Sequence, residues 1–450
     1  MGTFPLFRNA FTIVVLNIIA ANAAFAQNSS DTSGQLIVTA QIRPRAELRS
    51  GAFQPLAKGE NPAFLISQRS RVTLNYRYKN ILSLQLSPQN VSIWGQEALT
   101  QGAGANNGLA FFEAWAKLSI TPSALLQIGR QVISLDDERF FGALDWAQGG
   151  RAHDAVSFQV QKKTLEFKAH AAFNQNYKEL YGNNLANVSG ALFSPKDAAN
   201  YKWMQNAWLK YYRDKRNSFS FLVNNLGFQN AKSNADSNAQ TYFTQTIGAN
   251  YYFSGNKWKY SVSAYYQTGK NQQGIKTNAY LVAAVAERML NIRWSLMLGG
   301  DLLSGNNADG TLQKSNHAFI PYFGTNHKFY GSMDYYYTGN AHKNTGLGDA
   351  YLKARYKPDA RWMLALTAHQ FVSPVSLKEG AKALSANLGQ EFDLDVNYTI
   401  HPYVSLAGGY SVYAVTPSTR FLKAVTSSDP LQHWVWCTLN VSAEILKLKL

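Results

Sequence analysis

The sequence predicts an all-β protein, a transmembrane antiparallel up-and-down β-barrel of about 18 strands with short periplasmic turns and long extracellular loops. Three observations carry this prediction. Apolar and polar side chains alternate through many segments, the connections between segments alternate short and long, and the chain opens on an export signal but holds no other long apolar run.

The stretch Ser70 to Tyr78, SRVTLNYRY, shows the alternation: Val72, Leu74, Tyr76 and Tyr78 interleave with Arg71, Thr73, Asn75 and Arg77. Successive side chains of a strand point to opposite faces, so this pattern sets a greasy face against a charged one. A half-buried soluble sheet has the same period, and one strand decides nothing.

The N-terminus narrows the choice. Arg8 precedes an apolar run from Ala10 to Ala20, and Ala24-Phe25-Ala26 follows, which is the layout of a secretory signal cleaved after residue 26. Residues 27–450 are then one barrel domain. The apolar run is shorter than the ~20 residues that a spanning helix needs, which argues against a retained anchor. A single cysteine, Cys437, excludes an internal disulfide framework and a cysteine-rich metal site. Aromatic residues make up 13% and charged residues only 16% of the chain, a composition suited to interfacial girdles around an alternating sheet. The net charge of +16, of which Arg8 leaves with the signal, suggests an anionic partner. An exported compartment disfavours nucleic acid.

The candidate strands lie near 35–49, 65–79, 81–95, 109–121, 124–134, 155–163, 165–175, 203–214, 218–230, 241–254, 257–270, 275–288, 291–304, 347–358, 361–373, 388–401, 403–415 and 431–442. Connections after even-numbered strands are short, as at Lys79-Asn80, Thr121 to Ser123 and Asp214 to Asn217. Those after odd-numbered strands are usually long, as at Leu135 to Asp154, Asn176 to Lys202 and Ser304 to Gly346. An outer-membrane barrel has this habit, and closure removes the unpaired sheet edges that hydrocarbon cannot tolerate. The chain ends in LKLKL, so either the last strand stops near Val441 or Leu450 takes the place of the usual terminal aromatic residue.

On a barrel, alternation reads as lipid outside and water inside. Leu36, Val38, Ala40, Ile42, Leu74 and Tyr76 face lipid, while Arg43, Arg45, Glu47, Arg49, Arg69, Arg71 and Arg77 face the lumen. An outward arginine at mid-bilayer would cost about 2–4 kcal/mol. The same rule turns Glu113, Lys117, Glu166, Lys168, His170, Lys353, Arg355, Glu391, Asp393 and Asp395 inward, so the lumen is basic without being uniformly so. Clustered arginines select anions and suit carboxylates, because a guanidinium donates two hydrogen bonds at once. Each lumen arginine taken singly serves equally well in a cross-barrel salt bridge.

Residues Leu126 to Val156, LQIGRQVISLDDERFFGALDWAQGGRAHDAV, resemble the alginate export family of outer-membrane proteins. The likeness rests on Gly129-Arg130-Gln131, Arg139, Gly142, Asp145-Trp146, Arg151 and Asp154. It is supported by FFEAWAKL from Phe111, DLLSGNNADG from Asp301, FGTNHKFYGSMDYYY from Phe323 and GQEFDLDVNYTI from Gly389. The resemblance implies a monomeric barrel of eighteen strands whose electropositive channel passes an anionic uronate polysaccharide outward, with periplasmic export components as partners. It also implies that Arg130, Arg139, Arg151 and Asp154 lie at or near a constriction. Simple alternation points Arg130 outward, which calls for a bulge or an extracellular position. Arg139, Asp145 and Asp154 also read as an ion-pair network tying a loop to the rim. His153 stands where the family pattern leads one to expect an aromatic residue.

The expected function is a passive outer-membrane channel of a Gram-negative cell, with Arg43, Arg45, Arg69, Arg71, Arg130, Arg139, Arg151, Asp154, Lys353 and Arg355 as candidate solute contacts. It needs no cofactor, metal or catalytic residue, and HExxH, GxSxG and phosphate-loop patterns do not occur. Its solute is an anionic polysaccharide or a small anion, and outer-membrane lipid surrounds it. A general porin for small solutes is the alternative, and a rim hydrolase or a plugged adhesive barrel are readings from other classes.

Overall fold

The computed structural model describes residues 34–51, 53–96, 108–174, 201–230, 240–310, 314–336 and 343–450. The signal-peptide expectation for residues 1–26 lies outside them. The first barrel strands are β1 (Gly34–Arg49), β2 (Ala63–Tyr78), β3 (Leu82–Ile93), β4 (Leu109–Thr121), β5 (Ala124–Gln131) and β6 (His153–Gln161). They are followed by β7 (Leu165–Phe173), β8 (Trp203–Tyr212), β9 (Asn217–Asn230), β10 (Gln240–Ser254), β11 (Trp258–Gly269), β12 (Ala279–Met289) and β13 (Trp294–Leu303). Then come β14 (Leu347–Tyr356) and β15 (Trp362–Val372), a small separate hairpin of β16 (Leu377–Glu379) and β17 (Lys382–Leu384), and the strands β18 (Asn387–His401), β19 (Val404–Val415) and β20 (Leu431–Lys449).

All but the small hairpin form one 18-stranded antiparallel sheet, which closes because β1 pairs with both β2 and β20. The expected strands are therefore all present, with two ends displaced by four residues or more. β12 starts at Ala279 because the preceding residues leave the ladder: Lys276 bridges to Lys270 and Thr277 to Asn316. β20 continues to Lys449, and backbone groups of Gly34 and Leu450 exchange hydrogen bonds at 2.7 Å, so Leu450 stands at the closing seam.

The short turns have their own local chemistry. Asp214 accepts from the backbone N–H groups of Arg216 (2.7 Å) and Asn217 (2.8 Å), and Asp359 and Asn291 do the same for the residues two and three positions on. Such side-chain caps satisfy backbone donors in a tight reversal, which is why Asp and Asn stand there. At this end of the barrel, outward aromatic residues pair across strands, with ring centroids 4.4 Å apart for Trp294 and Tyr356 and 4.3 Å for Trp362 and Tyr398. They form the girdle that an interface with lipid head groups favours.

Outward residues such as Ile42, Leu86, Val262, Leu298, Leu352 and Leu366 are exposed, as a hydrocarbon-facing wall requires. The buried cluster lies inside the barrel instead. Ile133, Phe140 and Phe141 from the β5–β6 connection meet Phe319, Phe329 and Tyr330 from the β13–β14 connection there, together with Trp208, Tyr265 and Trp434 from the wall. Apolar burial is thus spent on holding two long loops within the bore.

Candidate functional site

Arginines crowd one stretch of the inner wall. Arg43 on β1 lies directly opposite Arg69 on β2, and Gln41 opposite Arg71. Like charges facing each other across a strand pair repel, and the β5–β6 loop supplies what offsets this. Asp145 accepts from Arg69 Nη1 at 2.8 Å and from Arg43 Nη1 at 3.4 Å, while Arg43 also donates to the carbonyls of Asp145 (2.9 Å) and Ala147 (3.1 Å). Arg45 donates to the Trp146 carbonyl at 2.9 Å and to Glu47 at 2.8 Å, and its guanidinium lies 4.3 Å above the Trp146 ring. Arg71 donates twice to Gln89 Oε1 and stacks 3.7 Å from the centre of Phe112.

Neutral amides complete the fastening. Gln148 accepts from Arg43 and donates to Ser67, and Gln89 donates to the Gly149 carbonyl. The Asp145 side chain nonetheless stays 65% exposed beside an Arg69 that is 1% exposed, so its carboxylate faces the open part of the lumen.

The other end of the same loop crosses to β8–β13. Asp136 accepts from Ser220 (2.6 Å), Trp208 (2.8 Å) and Asn250 (3.1 Å). Burial pushes its carboxyl above the ordinary range against two of those bonds. Arg139 makes a two-pronged pair with Asp301 at 2.7 and 3.1 Å and a further pair with Asp137. Burial opposes its charge, but Asp301 and Asp137 prevail and hold the guanidinium firmly protonated. Arg151 donates to the carbonyls of Gly142, Phe323 and Gly324, joining the two loops to each other. His327 stacks on Trp146 at 4.2 Å and bonds Asp334 at 2.8 Å.

Arg43, Arg45, Arg69 and Arg71 are thus brought together, and Arg139 and Arg151 act on the loop that faces them. Arg130 and Asp154 are not at the constriction, which corrects their assignment there. They lie opposite each other in an unbroken register, one step from the pair Ile128 and Val156, on the outward row of β5 and β6, and bond at 3.0 Å. No bulge intervenes: Arg130 keeps the outward direction that alternation gives it and sits at the loop end of the strand.

Lys353 and Arg355 face inward but belong to another part of the wall. Arg355 pairs with Glu287 at 2.7 Å, and Lys353 lies in one row with Thr367 and Asp393. Carboxylates gather here, since His369 bonds both oxygens of Asp349 at 3.0 Å and Glu391 accepts from the Met333 backbone at 2.7 Å. The lumen therefore presents an arginine-rich wall on β1–β2 and an acidic one on β12–β18.

His153 substitutes for the expected aromatic residue by packing as one, 5.0 Å from the Phe323 ring and bonded to Tyr201 at 3.0 Å. Sequence reasoning did not single out Gln89 and Gln148, whose neutral amides give no periodic or charge signal. It quoted Asp301 only within a longer motif, although alternation places this acid inward at the top of β13, opposite the inward Asp349.

A closed barrel with a charged lumen and inward-folded loops defines an outer-membrane β-barrel channel. More particularly, the chain belongs to the alginate export family, whose model matches residues 35–416. Among solved structures the fold is similar to that of Pseudomonas aeruginosa OccK3 (OpdO), at a TM-score of 0.61 and 10% identity, over 91% of this chain and 96% of that one. It is also similar to OccK9 (OpdG) of the same organism, with TM-score 0.57 and 12% identity over 92% and 98%. OpdK of that organism, solved with vanillate, gives 0.55 and 9% over 92% and 99%. These identities speak for the fold alone. No curated protein matches the chain in sequence.

Proposed function

We propose that the protein is a passive channel for anionic sugars, conducting uronate-type oligo- or polysaccharide past the arginines of β1 and β2. The observation that carries this reading is Asp145, a carboxylate that the cluster holds between Arg43 and Arg69 while leaving it open to the lumen. A uronate carboxylate presents the same group. Arg43, Arg45 and Arg71 would pass it along, with buried Arg69 adding its charge from behind Asp145, and a series of such weak sites permits transit where one tight site would trap a polymer. Lys353 and Arg355, tempered by neighbouring carboxylates, would contribute less. Arg139 and Arg151 would act by positioning the loop. We also propose export through a cleaved signal at residues 1–26, a monomeric barrel, and handover from periplasmic export components.

A second reading, a porin for small anions, is favoured by the aromatic cluster inside the bore, because loops packed there leave less room for a polymer chain. That a fold neighbour was solved with vanillate accords with it. Oligo-uronate block in planar bilayers tests the proposal. An alginate oligomer should interrupt single-channel current at a concentration about tenfold lower than a neutral glucose oligomer of equal length, since one charge-assisted contact is worth about 1.5–3 kcal/mol. Equal block by the two would contradict uronate recognition, and block by free uronate alone would favour the small-anion reading.

A further inference from the structure

The outward face of β5–β10 carries polar groups where a barrel in lipid calls for hydrocarbon side chains. Gln205, Asn225 and Gln245 lie side by side in register on three neighbouring strands. Asn225 donates to Gln205 at 2.8 Å, and Gln245 donates to Asn225 at 2.7 Å. Two bonds use only part of the hydrogen-bonding capacity of three amides. On the other side of Ala171 stands the outward ion pair of Arg130 with Asp154, in which the arginine side chain remains 41% exposed.

Between the amides and the ion pair the surface is dented. A groove of about 360 Å³ runs over Ile128, Gly129, Val156 and Ala171 towards Phe173 and Trp203. A small residue makes the dent: Ala171, between Val156 and Gln205 in the same row, offers only a methyl group. Phe173 and Trp203, their rings 4.5 Å apart, stand at the long-loop end, where an aromatic belt meets the outer head groups. The charged lip thus lies one outward position nearer the long loops than the apolar floor of Ile128, Val156 and Ala171, with which the amide row is in register.

We infer that this face is a binding site for a phosphorylated glycolipid of the outer leaflet. One acyl chain lies in the groove over Ile128, Val156 and Ala171, a phosphate meets Arg130, and sugar hydroxyls meet the amide row. Arg130 donates through Nη1 to Asp154 and through Nε to the Phe111 carbonyl, and its exposed remainder is the edge a phosphate oxygen would meet, while a phospholipid would leave the amides without hydroxyl partners. This assignment depends on the membrane location and not on what the lumen conducts.

Native mass spectrometry of the purified chain in detergent, titrated with diphosphoryl lipid A, tests it, with heat-modifiable migration as the check of folding. The wild type should retain one lipid A per chain in preference to phosphatidylglycerol. Arg130→Gln should weaken retention about tenfold, the size expected for one charge-assisted contact, and the groove-filling Ala171→Phe should weaken it by excluding the acyl chain. Should Ala171→Phe fail to fold, Ala171→Leu replaces it. Retention unchanged in both variants, or phosphatidylglycerol held as well as lipid A, overturns the inference. So does a dimer that forms through this face and excludes lipid A.

Discussion

Replacing Arg45, Arg69 and Arg71 together with alanine should abolish the anion preference proposed for the channel while the barrel stays folded. Asp145, paired with Arg43 and Arg69, and Glu47, paired with Arg45, then keep only Arg43 among the four arginines, so the formal charge of these six groups goes from +2 (four arginines, two carboxylates) to −1 (one arginine, two carboxylates). At an effective dielectric constant near 20, unit charges 4 Å apart interact by about 4 kcal/mol, so even a distant remnant of that field governs which ion enters. The anion-to-cation permeability ratio, read from the reversal potential in a salt gradient, should fall by roughly tenfold. The strands themselves lose no backbone pairing, so heat-modifiable migration should persist. An unchanged ratio would remove these arginines from the mechanism.

The second large effect belongs to Arg139. Its side chain is 2% exposed and bonded to an Asp301 side chain that is fully buried. Removing one member of a buried pair strands the other charge, at a cost of about 3–5 kcal/mol. Arg139→Ala should therefore loosen the β5–β6 loop from the β13 wall without opening the barrel, because the pair joins loop to wall and not strand to strand. Two readouts follow: larger single-channel conductance, and faster hydrogen exchange at residues 133–148 with little change in β8–β13. Unaltered conductance together with unaltered exchange would show that the pair does not hold the loop.

Much of the fold was legible because its signal is periodic. Hydrocarbon and water impose opposite demands on the two faces of each strand, so a dipeptide rhythm survives in the sequence even where helix-like patterns are absent. The arginine cluster was legible for the same reason, since Arg43, Arg45, Arg69 and Arg71 fall on inward positions of neighbouring strands. Arg130 and Asp154 show where resemblance and rhythm disagreed: rhythm pointed Arg130 outward, and the structure places both residues there. The loops were not legible. Their packing depends on contacts such as Arg69 with Asp145, 76 positions apart, and Arg139 with Asp301, 162 apart, and no local propensity encodes such pairings. The neutral amides of Gln89 and Gln148 leave no trace in a charge pattern, although they fasten the same loop.

The central claim is that a sealed cylinder encloses a water-filled path whose arginine wall favours anions. The most direct measurement is the wild-type protein in a planar bilayer separating unequal concentrations of potassium chloride. The account requires discrete current steps and a reversal potential displaced toward that of chloride. Absence of steps, or a displacement toward potassium, would contradict it.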